Sequence, residues 1–441
     1  MEHRPIYNKQ FGKLGLEVAK QWPEWDVLKQ RGKKKDTLGI TLSGGGYRSA
    51  IFCYGVLRGL HEIKVLHNTD YLSVVSGGSW IGMPYATTNF LNDWFFDSPT
   101  NQPNYLEEGF ESFLANPIRL VEELSLTRLT PNYVSDVFGR LLAGTFLREH
   151  GQEARFRGLS DPSMIKDSDR PYLIVNGTLK YRPKENDDLR AECFEMTRLY
   201  CGSRSLGYFP TEGLKSLEDP IRVRDAVAIS GAAAAVFFPG LGDEVVALGL
   251  DRKVANYTPK NLPGRPTDDD LDLADGGLYN NLGVESLINR GCGYIIIVDA
   301  EHDPETPIEN SSNQKYSGLR TLIKRNHIST AFGHQPDAII AQLNVRDELI
   351  HVFSGDETVP DILYIKLKSW RQFDEEFKGR PYNKPGFLDR MFHGGEFAFN
   401  PQFSTAKLDY SFAEHRNLSD LGYFVVKQHE DKIKRFASLA E

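Results

Sequence analysis

The chain has 441 residues, of which 40% are hydrophobic and 25% are charged, a composition that is ordinary for a globular protein with a large buried core. The formal net charge of −8 argues against a nucleic-acid binder, because basic residues usually dominate such surfaces. The four cysteines form no CxxC pair and have no histidines at zinc-ligand spacing, so we predict neither a disulfide scaffold nor a metal or other cofactor.

The amino-terminal sequence has no continuous apolar run, and no segment approaches the roughly 18 apolar residues of a membrane-spanning helix. We therefore expect a cytoplasmic protein without a secretory signal, which would meet a membrane from the aqueous side. Residues 1–36 are polar and are predicted to form a peripheral amino-terminal segment. Its basic run fits either a solvated linker or a contact with anionic lipid headgroups. That run comprises Lys29, Arg31, Lys33, Lys34 and Lys35.

Strand and helix patterns alternate from residue 37 onward. The predicted strands are 37–42, 71–75, 172–176, 294–299 and 362–367. The predicted helices are 48–60, one that follows the turn at 76–80, 223–236 and 422–440. This alternation, with strands apolar at nearly every residue, predicts an α/β fold with a mostly parallel central sheet that is covered on both faces.

No linker separates these elements, so residues 37–441 are predicted to be a single domain with insertions near 90–165 and 303–420. The first insertion begins with an aromatic run that either reaches a bilayer interface or, as is more common, belongs to the core. Its members are Phe90, Trp94, Phe95 and Phe96.

The first motif with chemical meaning is SGGGYR at residues 43–48, between a predicted strand and a predicted helix. The consecutive glycines Gly44, Gly45 and Gly46 allow backbone amides to turn toward one point, and the helix start adds partial positive charge. The motif therefore fits an oxyanion site or a phosphate site. Its spacing matches neither a Walker loop nor a dinucleotide fingerprint. A merely flexible turn is the simplest alternative.

The second motif is VVSGGSW at residues 74–80. A serine on a sharp turn from a strand into a helix presents its hydroxyl at the edge of the sheet, as in the G-x-S-x-G elbow of hydrolases. Ser76 occupies that place, although Val74 stands where the pattern has its first glycine. Ser73 lies within the strand and Ser79 within the helix, so both are weaker candidates. A plain helix start is the alternative interpretation.

The third motif is LADGGLYNN at residues 273–281, in which Asp275 ends an apolar lead-in and is followed by two glycines. A buried carboxylate in such a turn can act as a base toward a serine hydroxyl. The alternative is an ordinary turn aspartate. The preceding acidic run lacks the spacing of an EF-hand loop and is not predicted to bind metal. It comprises Asp268, Asp269, Asp270 and Asp272.

The three motifs, in this order, resemble the patatin-like phospholipases, most closely the cytosolic phospholipase A2 branch. The segment YGVLR at 54–58 resembles the helix that follows the glycine loop in that branch, and Asn281 stands six residues after Asp275, as in its aspartate motif. The segment 225–233 resembles the alanine-rich helix that lines the family's acyl site. The resemblance covers about 35–300, by separate motifs.

The resemblance implies a three-layer α/β sandwich and a serine lipid acyl hydrolase that needs no metal. Ser76 would be the nucleophile, Asp275 its base, and the amides of Gly44, Gly45 and Gly46 the oxyanion donors. Arg48 would either hold the substrate phosphate or stabilise the glycine loop. The partner would be a lipid at a membrane surface, with an activator or protein partner left open, and residues 37–441 would be one patatin-like catalytic domain.

Two other hypotheses stay open from the sequence. One is an α/β-hydrolase esterase with a Ser–Asp–His triad, in which His302 or His327 would complete the order Ser76, Asp275, His. The other is an idle scaffold or a ligand-gated effector, whose insertions would bind a partner or a small molecule. Fold does not determine substrate, so neither the lipid class nor the preferred ester position follows from the sequence.

Overall fold

In the computed structural model, parallel strands occupy the centre of a sheet in which antiparallel strands extend both edges. The described residues are 14–32, 35–87, 95–96, 139–140, 142–144, 146–147, 158–160, 170–181, 190–204, 207–213, 215–216, 219–231, 252–255, 271–301, 350–355, 359–368, 373, 401–403 and 410–441.

The secondary-structure elements are numbered in chain order. The strands are β1 Leu38–Leu42, β2 Tyr71–Val75, β3 Tyr172–Tyr181, β4 Arg190–Met196, β5 Tyr200–Ser203, β6 Gly207–Pro210, β7 Lys215–Ser216, β8 Asp219–Pro220, β9 Arg252–Ala255, β10 Leu271–Asp275, β11 Tyr294–Asp299, β12 Ile350–Phe353 and β13 Asp361–Lys366. The α-helices are α1 Leu16–Ala19, α2 Trp25–Leu28, α3 Gly46–Glu62, α4 Val65–Asn68, α5 Gly77–Thr87, α6 Val223–Ser230, α7 Gly277–Asn280, α8 Glu285–Asn289, α9 Phe412–Gln428 and α10 Glu430–Ser438. Short 3-10 helices cover Lys29–Arg31 and Thr211–Gly213.

The strands that the structure describes form one sheet with the order β12-β13-β11-β1-β2-β3-β10-β9-β7-β8, and β4, β5 and β6 continue from β3. The five neighbours from β13 to β3 pair in parallel. The other pairs are antiparallel. The predicted α/β fold with a central sheet between helices is confirmed, and its parallel part is confined to those five strands.

Strand β3 explains how two distant segments meet. One edge of β3 pairs with β4 over residues 175–181. The opposite edge must therefore take both β2, which pairs in parallel up to Val75 opposite Asn176, and β10, which pairs antiparallel down to Asp275 opposite Gly177. The carboxyl ends of β2 and β10 thus approach each other head-on along the same edge of β3.

Side chains alternate between two cores, as the pleat of a strand requires. Ile40 and Ile296 lie in the core with helix α3, whereas Ile295 and Ile297 lie in the core with Leu287 of α8. Helix α9 packs closely on α3 because glycines stand at the contact. A Cβ at Gly55 would lie 1.9 Å from the carbonyl oxygen of Ser419.

The ends of the chain contribute to this packing. Trp22 is 3% exposed, and Glu24 is fully buried against the guanidinium of Arg290 at 2.8 Å. These residues belong to the segment 1–36 that the sequence predicted to be peripheral. The carboxy-terminal helix begins at Phe412 rather than at 422, because Ser411 and Glu414 form a capping box at its start.

Several predictions fall partly or wholly outside the described residues. Of the aromatic run, Phe95 and Phe96 are buried at 2% and 4% exposure, whereas Phe90 and Trp94 lie outside. Among the residues that the structure describes, no helix has the length and apolar character to cross a bilayer. The other predictions outside the described residues concern Lys33, Lys34, Asp268, Asp269, Asp270, His302, His327, residues 232–236 of the predicted helix 223–236 and most of the insertions near 90–165 and 303–420.

His415, on the buried face of α9, makes the stability of the protein depend on pH. Burial lowers the pKa of its imidazole from 6.5 to about 3, so between these values the unfolded chain binds the proton more tightly. Its contribution to stability is therefore complete above about pH 6.5 and is lost as the pH falls. We expect the native protein to lose about 1–2 kcal/mol more unfolding free energy between pH 6.5 and pH 5 than His415→Gln. Urea unfolding at both pH values measures this, and equal losses would contradict it.

Candidate active site

Ser76 lies between the end of β2 and the start of α5, at the sharp turn predicted from the sequence. Its φ of 46° is positive, which is uncommon for a residue with a side chain and stores strain at functional sites. Ser76 is 7% exposed, and its backbone N–H donates to Ser230 Oγ at 2.9 Å. The turn therefore has the backbone geometry of the elbow that the sequence predicted.

The two glycines after Ser76 allow backbone segments to approach closely. A Cβ at Gly77 would lie 2.0 Å from the carbonyl oxygen of Gly46, and one at Gly78 would lie 2.4 Å from that of Leu42. Any side chain at either position would separate the elbow from the glycine loop and from the end of β1.

Val74 replaces the first glycine of the usual elbow pattern, and α5 leaves room for it. A Cβ at Gly82 would lie 2.4 Å from Val74 Cγ1. The glycine that relieves crowding therefore stands on the facing helix instead of on the strand. The unusual residue at position 74 is thus compatible with the elbow.

The neighbouring serine hydroxyls are used in structural hydrogen bonds. Ser79 Oγ donates to the carbonyl oxygen of Ser76 at 2.6 Å, and Ser73 Oγ donates to that of Gly283 at 2.6 Å. Of these three serines, Ser76 is the one whose hydroxyl donates to a carboxylate. The geometry therefore favours Ser76 as the nucleophile.

Asp275 ends β10 and is 3% exposed. Its Oδ2 accepts a hydrogen bond from Ser76 Oγ at 3.0 Å, and its Oδ1 accepts one from the backbone N–H of Gly277 at 2.7 Å. Thr178 Oγ1 donates to the carbonyl oxygen of Asp275 at 2.6 Å. The carboxylate is thus held on one side by the turn after β10, with its other oxygen directed at the serine hydroxyl.

The glycine loop stands beside this pair and leads into α3. A Cβ at Gly44 would lie 3.1 Å from Ser76 Cβ. The amide of Gly44 donates to the carbonyl oxygen of Asn281 at 2.9 Å. Gly45 and Gly46 have φ of 142° and 62°, and their amides have no hydrogen-bond partner within the described part of the chain. Of the three predicted oxyanion donors, Gly45 and Gly46 are therefore more available than Gly44 to bind an oxyanion.

Arg48 is 1% exposed and its guanidinium is turned toward backbone carbonyls. Its Nε and Nη2 donate to Ala300 O at 3.0 and 2.9 Å, and its Nη1 donates to Phe403 O. A Cβ at Gly45 would lie 2.8 Å from both Arg48 Nη2 and Ala300 O. Of the two predicted roles, these contacts favour stabilisation of the glycine loop.

The sequence analysis did not find Glu301, and it included Ser230 in the segment 225–233 without singling it out. Glu301, 5% exposed, accepts a hydrogen bond from Asn281 Nδ2 at 2.8 Å and so directs Asn281 Oδ1 toward Gly44, where a Cβ would lie 2.0 Å from that oxygen. Ser230 ends α6 and binds the Ser76 amide. Glu301 follows a parallel strand, and ligands of α/β sheets bind outside the carboxyl ends of the strands. Its position was therefore a signal that could have been used.

The site as described uses side chains and backbone amides. Within the ranges that the structure covers, no three His, Cys, Asp or Glu side chains are arranged to hold a metal ion. All four cysteines are buried thiols that form no disulfide.

The fold and the site together define a class of α/β proteins in which an elbow serine meets an aspartate beside a glycine loop. A family model described as patatin-like phospholipase matches residues 40–288, which is more than half of the chain. The chain belongs to the patatin-like phospholipase family.

Known relatives share the fold and parts of the sequence. “Probable lysophospholipase 5” of Schizosaccharomyces pombe is 24% identical over 272 residues, which are 55% of this chain and 43% of that protein, so the match spans less than half of the relative. The structure of human GIVD cytosolic phospholipase A2 superimposes with a TM-score of 0.62 at 16% identity, covering 98% of this chain and 69% of that one. The same human protein in complex with methyl gamma-linolenyl fluorophosphonate gives a TM-score of 0.53 at 18% identity, covering 96% and 62%.

Proposed function

We propose that the protein is a serine lipid acyl hydrolase of the phospholipase A type, which cleaves acyl esters of glycerophospholipids through a Ser76–Asp275 dyad and an acyl-enzyme. The observation that carries this proposal is the hydrogen bond of 3.0 Å from Ser76 Oγ to Asp275 Oδ2 at a strained elbow. Membership of the family supports the reaction class.

In the first step, Ser76 Oγ attacks the ester carbonyl while Asp275 Oδ2 takes its proton. The carbonyl oxygen becomes an anion that the amides of Gly45 and Gly46 and the start of α3 stabilise. Donors aimed at such an oxyanion are worth about 10²–10³-fold in rate each. The buried position of both dyad residues strengthens these interactions, because little water screens them.

In the second step, the tetrahedral intermediate collapses and the C–O bond to the lysophospholipid breaks. The departing alkoxide receives the proton that Asp275 holds, which restores the carboxylate. Asp275 then takes a proton from a water molecule, which attacks the acyl-enzyme, and the fatty acid leaves as Ser76 regains its proton. Each half-reaction returns Asp275 to its starting state, so no further acid or base is required.

A lipid substrate is supported by the surroundings of the dyad. Leu278 lies on α7, the helix that follows Asp275, and is 66% exposed, so this helix offers an apolar side chain to solvent. The human protein of similar fold is named a cytosolic phospholipase A2, and the Schizosaccharomyces pombe relative is named “Probable lysophospholipase 5”. A cytoplasmic protein that contacts the membrane surface peripherally is part of the same proposal.

A lipid panel tests the substrate class. The native protein and Asp275→Asn are incubated with dispersions of phosphatidylcholine, phosphatidylethanolamine or galactolipid, or with an emulsion of triacylglycerol, and the products are quantified by mass spectrometry. We expect free fatty acid and lysophospholipid from the phospholipids with the native protein, and neither with the variant. Release from the neutral lipids alone would contradict a phospholipase, and equal release by both proteins would contradict the dyad.

Replacement of Arg48 by lysine separates the two roles predicted for this residue. A lysine cannot reproduce the forked contact of the guanidinium with Ala300 O, so the glycine loop should lose support. If Arg48 stabilises the loop, Arg48→Lys should lower kcat by about tenfold, which corresponds to about 1.4 kcal/mol. The loss should be equal for a phospholipid and for a neutral short-chain ester. A much larger loss on the phospholipid would contradict this role and favour phosphate binding.

A further inference from the structure

Ser230, the last residue of α6, contacts the backbone on both sides of the dyad. Its side chain is fully buried. Its Oγ accepts the N–H of Ser76 at 2.9 Å and donates to the carbonyl oxygen of Asn176 at 2.7 Å. Its own carbonyl oxygen accepts the N–H of Gly276, the residue after Asp275, at 3.1 Å. One residue therefore joins the serine elbow, the aspartate turn and the strand between them.

We propose that Ser230 is a positioning residue that sets the separation of Ser76 Oγ and Asp275 Oδ2. The expected effect on catalysis rests on the proposed function. The effect on the distance between Ser76 Oγ and Asp275 Oδ2 does not, because that distance can be measured without turnover. Neither the motif at 74–80 nor the motif at 273–281 contains this residue. It lies 154 residues from Ser76 in the chain.

The strained conformation of Ser76 depends on its neighbours. A residue held at a positive φ stays there when the surrounding contacts determine its conformation, and such strain costs on the order of 1–3 kcal/mol. The hydroxyl of Ser230 satisfies the buried Ser76 amide in that conformation. Without it, the amide would be left unsatisfied at a cost of about 1–3 kcal/mol, and the elbow would gain by relaxing away from its present position.

Strand β3 makes the contact a bridge between the two dyad residues. Ser230 Oγ is anchored on Asn176, which pairs with Val75 on one side of the gap between β2 and β10, while Gly177 pairs with Asp275 on the other. A shift of Ser76 relative to Ser230 is therefore also a shift relative to Asp275. A misplacement of about 1 Å in reacting groups can cost about 10²-fold in rate.

The same contact has a consequence for the oxyanion site. Because the Ser76 N–H donates to Ser230 Oγ, this amide is not directed at the substrate. The oxyanion donors must then come from other amides, in agreement with the Gly45 and Gly46 amides, for which the described residues offer no partner. Ser230 therefore positions the nucleophile, while other groups stabilise the oxyanion.

The test compares Ser230→Ala with a matched variant, Ser79→Ala. Both remove one buried hydroxyl that bonds the backbone of Ser76, but the carbonyl oxygen of Ser76 keeps the N–H of Ser79 at 2.8 Å after the second change. The loss of the hydroxyl alone should therefore lower unfolding free energy in both variants. Ser230→Thr retains a hydroxyl and serves as the conservative replacement, with Ser230→Cys as its substitute if the threonine variant does not fold.

Three readouts distinguish positioning from simple stabilisation. We expect Ser230→Ala to lower kcat and the second-order rate of labelling by a fluorophosphonate by about 10–100-fold. KM should change by no more than about twofold, because substrate binding is retained. Ser79→Ala should keep both rates, and the conservative variant should recover most of the loss. In a crystal structure of Ser230→Ala, the distance from Ser76 Oγ to Asp275 Oδ2 should increase beyond hydrogen-bond length.

The inference is overturned if Ser230→Ala retains the native distance and native rates, or if Ser79→Ala loses as much activity as Ser230→Ala. The failure of the proposed function would look different. A native protein that neither reacts with the fluorophosphonate nor releases fatty acid would refute the hydrolase, while the crystal structure of Ser230→Ala would still decide whether Ser230 sets the distance.

Discussion

Ser76→Ala is expected to lower the rate of lipid hydrolysis by at least about 10⁴-fold, because the loss of a nucleophile leaves only binding and oxyanion stabilisation. Asp275→Asn should come close to the same loss, since an amide cannot take the serine proton. The double variant should lose little more than either single variant, because the two residues act as one unit. Steady-state release of fatty acid by purified proteins measures all three.

Folding of these variants is checked by their unfolding midpoints. The bond from the Ser76 hydroxyl to Asp275 is buried, so its removal leaves a buried carboxylate oxygen with one partner fewer and should cost about 1–3 kcal/mol. Full activity in Ser76→Ala would refute the nucleophile. A double variant whose loss equals the product of the two single losses would show that the residues act independently and would contradict the dyad.

Gly77→Ala is expected to have the next largest effect, with kcat lowered by about 10²–10³-fold. A Cβ at this position would lie 2.0 Å from the carbonyl oxygen of Gly46. The atom that it meets belongs to the backbone and cannot swing aside, so the elbow and the glycine loop must separate. The oxyanion donors would then be displaced from the carbon that Ser76 attacks, while Ser76 and Asp275 are both retained.

Gly158→Ala is the matched control. A Cβ at Gly158 would have its nearest neighbour at 3.9 Å, which is ordinary van der Waals contact. This variant should keep native kcat and a native unfolding midpoint. A Gly77→Ala protein that is as active as Gly158→Ala would show that the close contact between elbow and loop is not needed for the reaction.

The sequence contains enough information to find both dyad candidates, since each lies where a strand ends in a turn of small residues. Ser76 is followed by two glycines whose positions leave no space for side chains, and the pattern reports that steric requirement directly. Asp275 is likewise followed by two glycines. The strand at 294–299 is also predicted with the bounds of β11, because an uninterrupted apolar run fits a strand buried on both faces.

The sequence could not supply the register that joins the two candidates. Nothing local to β10 indicates that it runs antiparallel to β3 and stops opposite Gly177. The contacts of Ser230 and Glu301 are likewise made across long separations in the chain. The predicted parallel sheet describes the centre of the fold but not its edges, where consecutive strands such as β4, β5 and β6 are joined by short connections and therefore pair antiparallel.

The amino-terminal segment shows how composition can conceal core residues. Residues 1–36 are polar on average, yet Trp22 and Glu24 are buried because Arg290, itself inaccessible, pairs with Glu24 and lies 4.5 Å from the centre of the Trp22 ring. A buried ion pair of this kind depends on a distant partner. By contrast, the sequence does indicate that α9 begins before residue 422, because a serine followed three residues later by glutamate is a capping box.

The Ser76–Asp275 dyad is tested by the site of covalent labelling by a fluorophosphonate, which peptide mass spectrometry identifies. Such reagents react with a serine that a neighbouring base has activated. We predict one stoichiometric adduct on Ser76 in the native protein and none in Asp275→Asn. An adduct on a different serine, or equal labelling of Ser76 in both proteins, would contradict it.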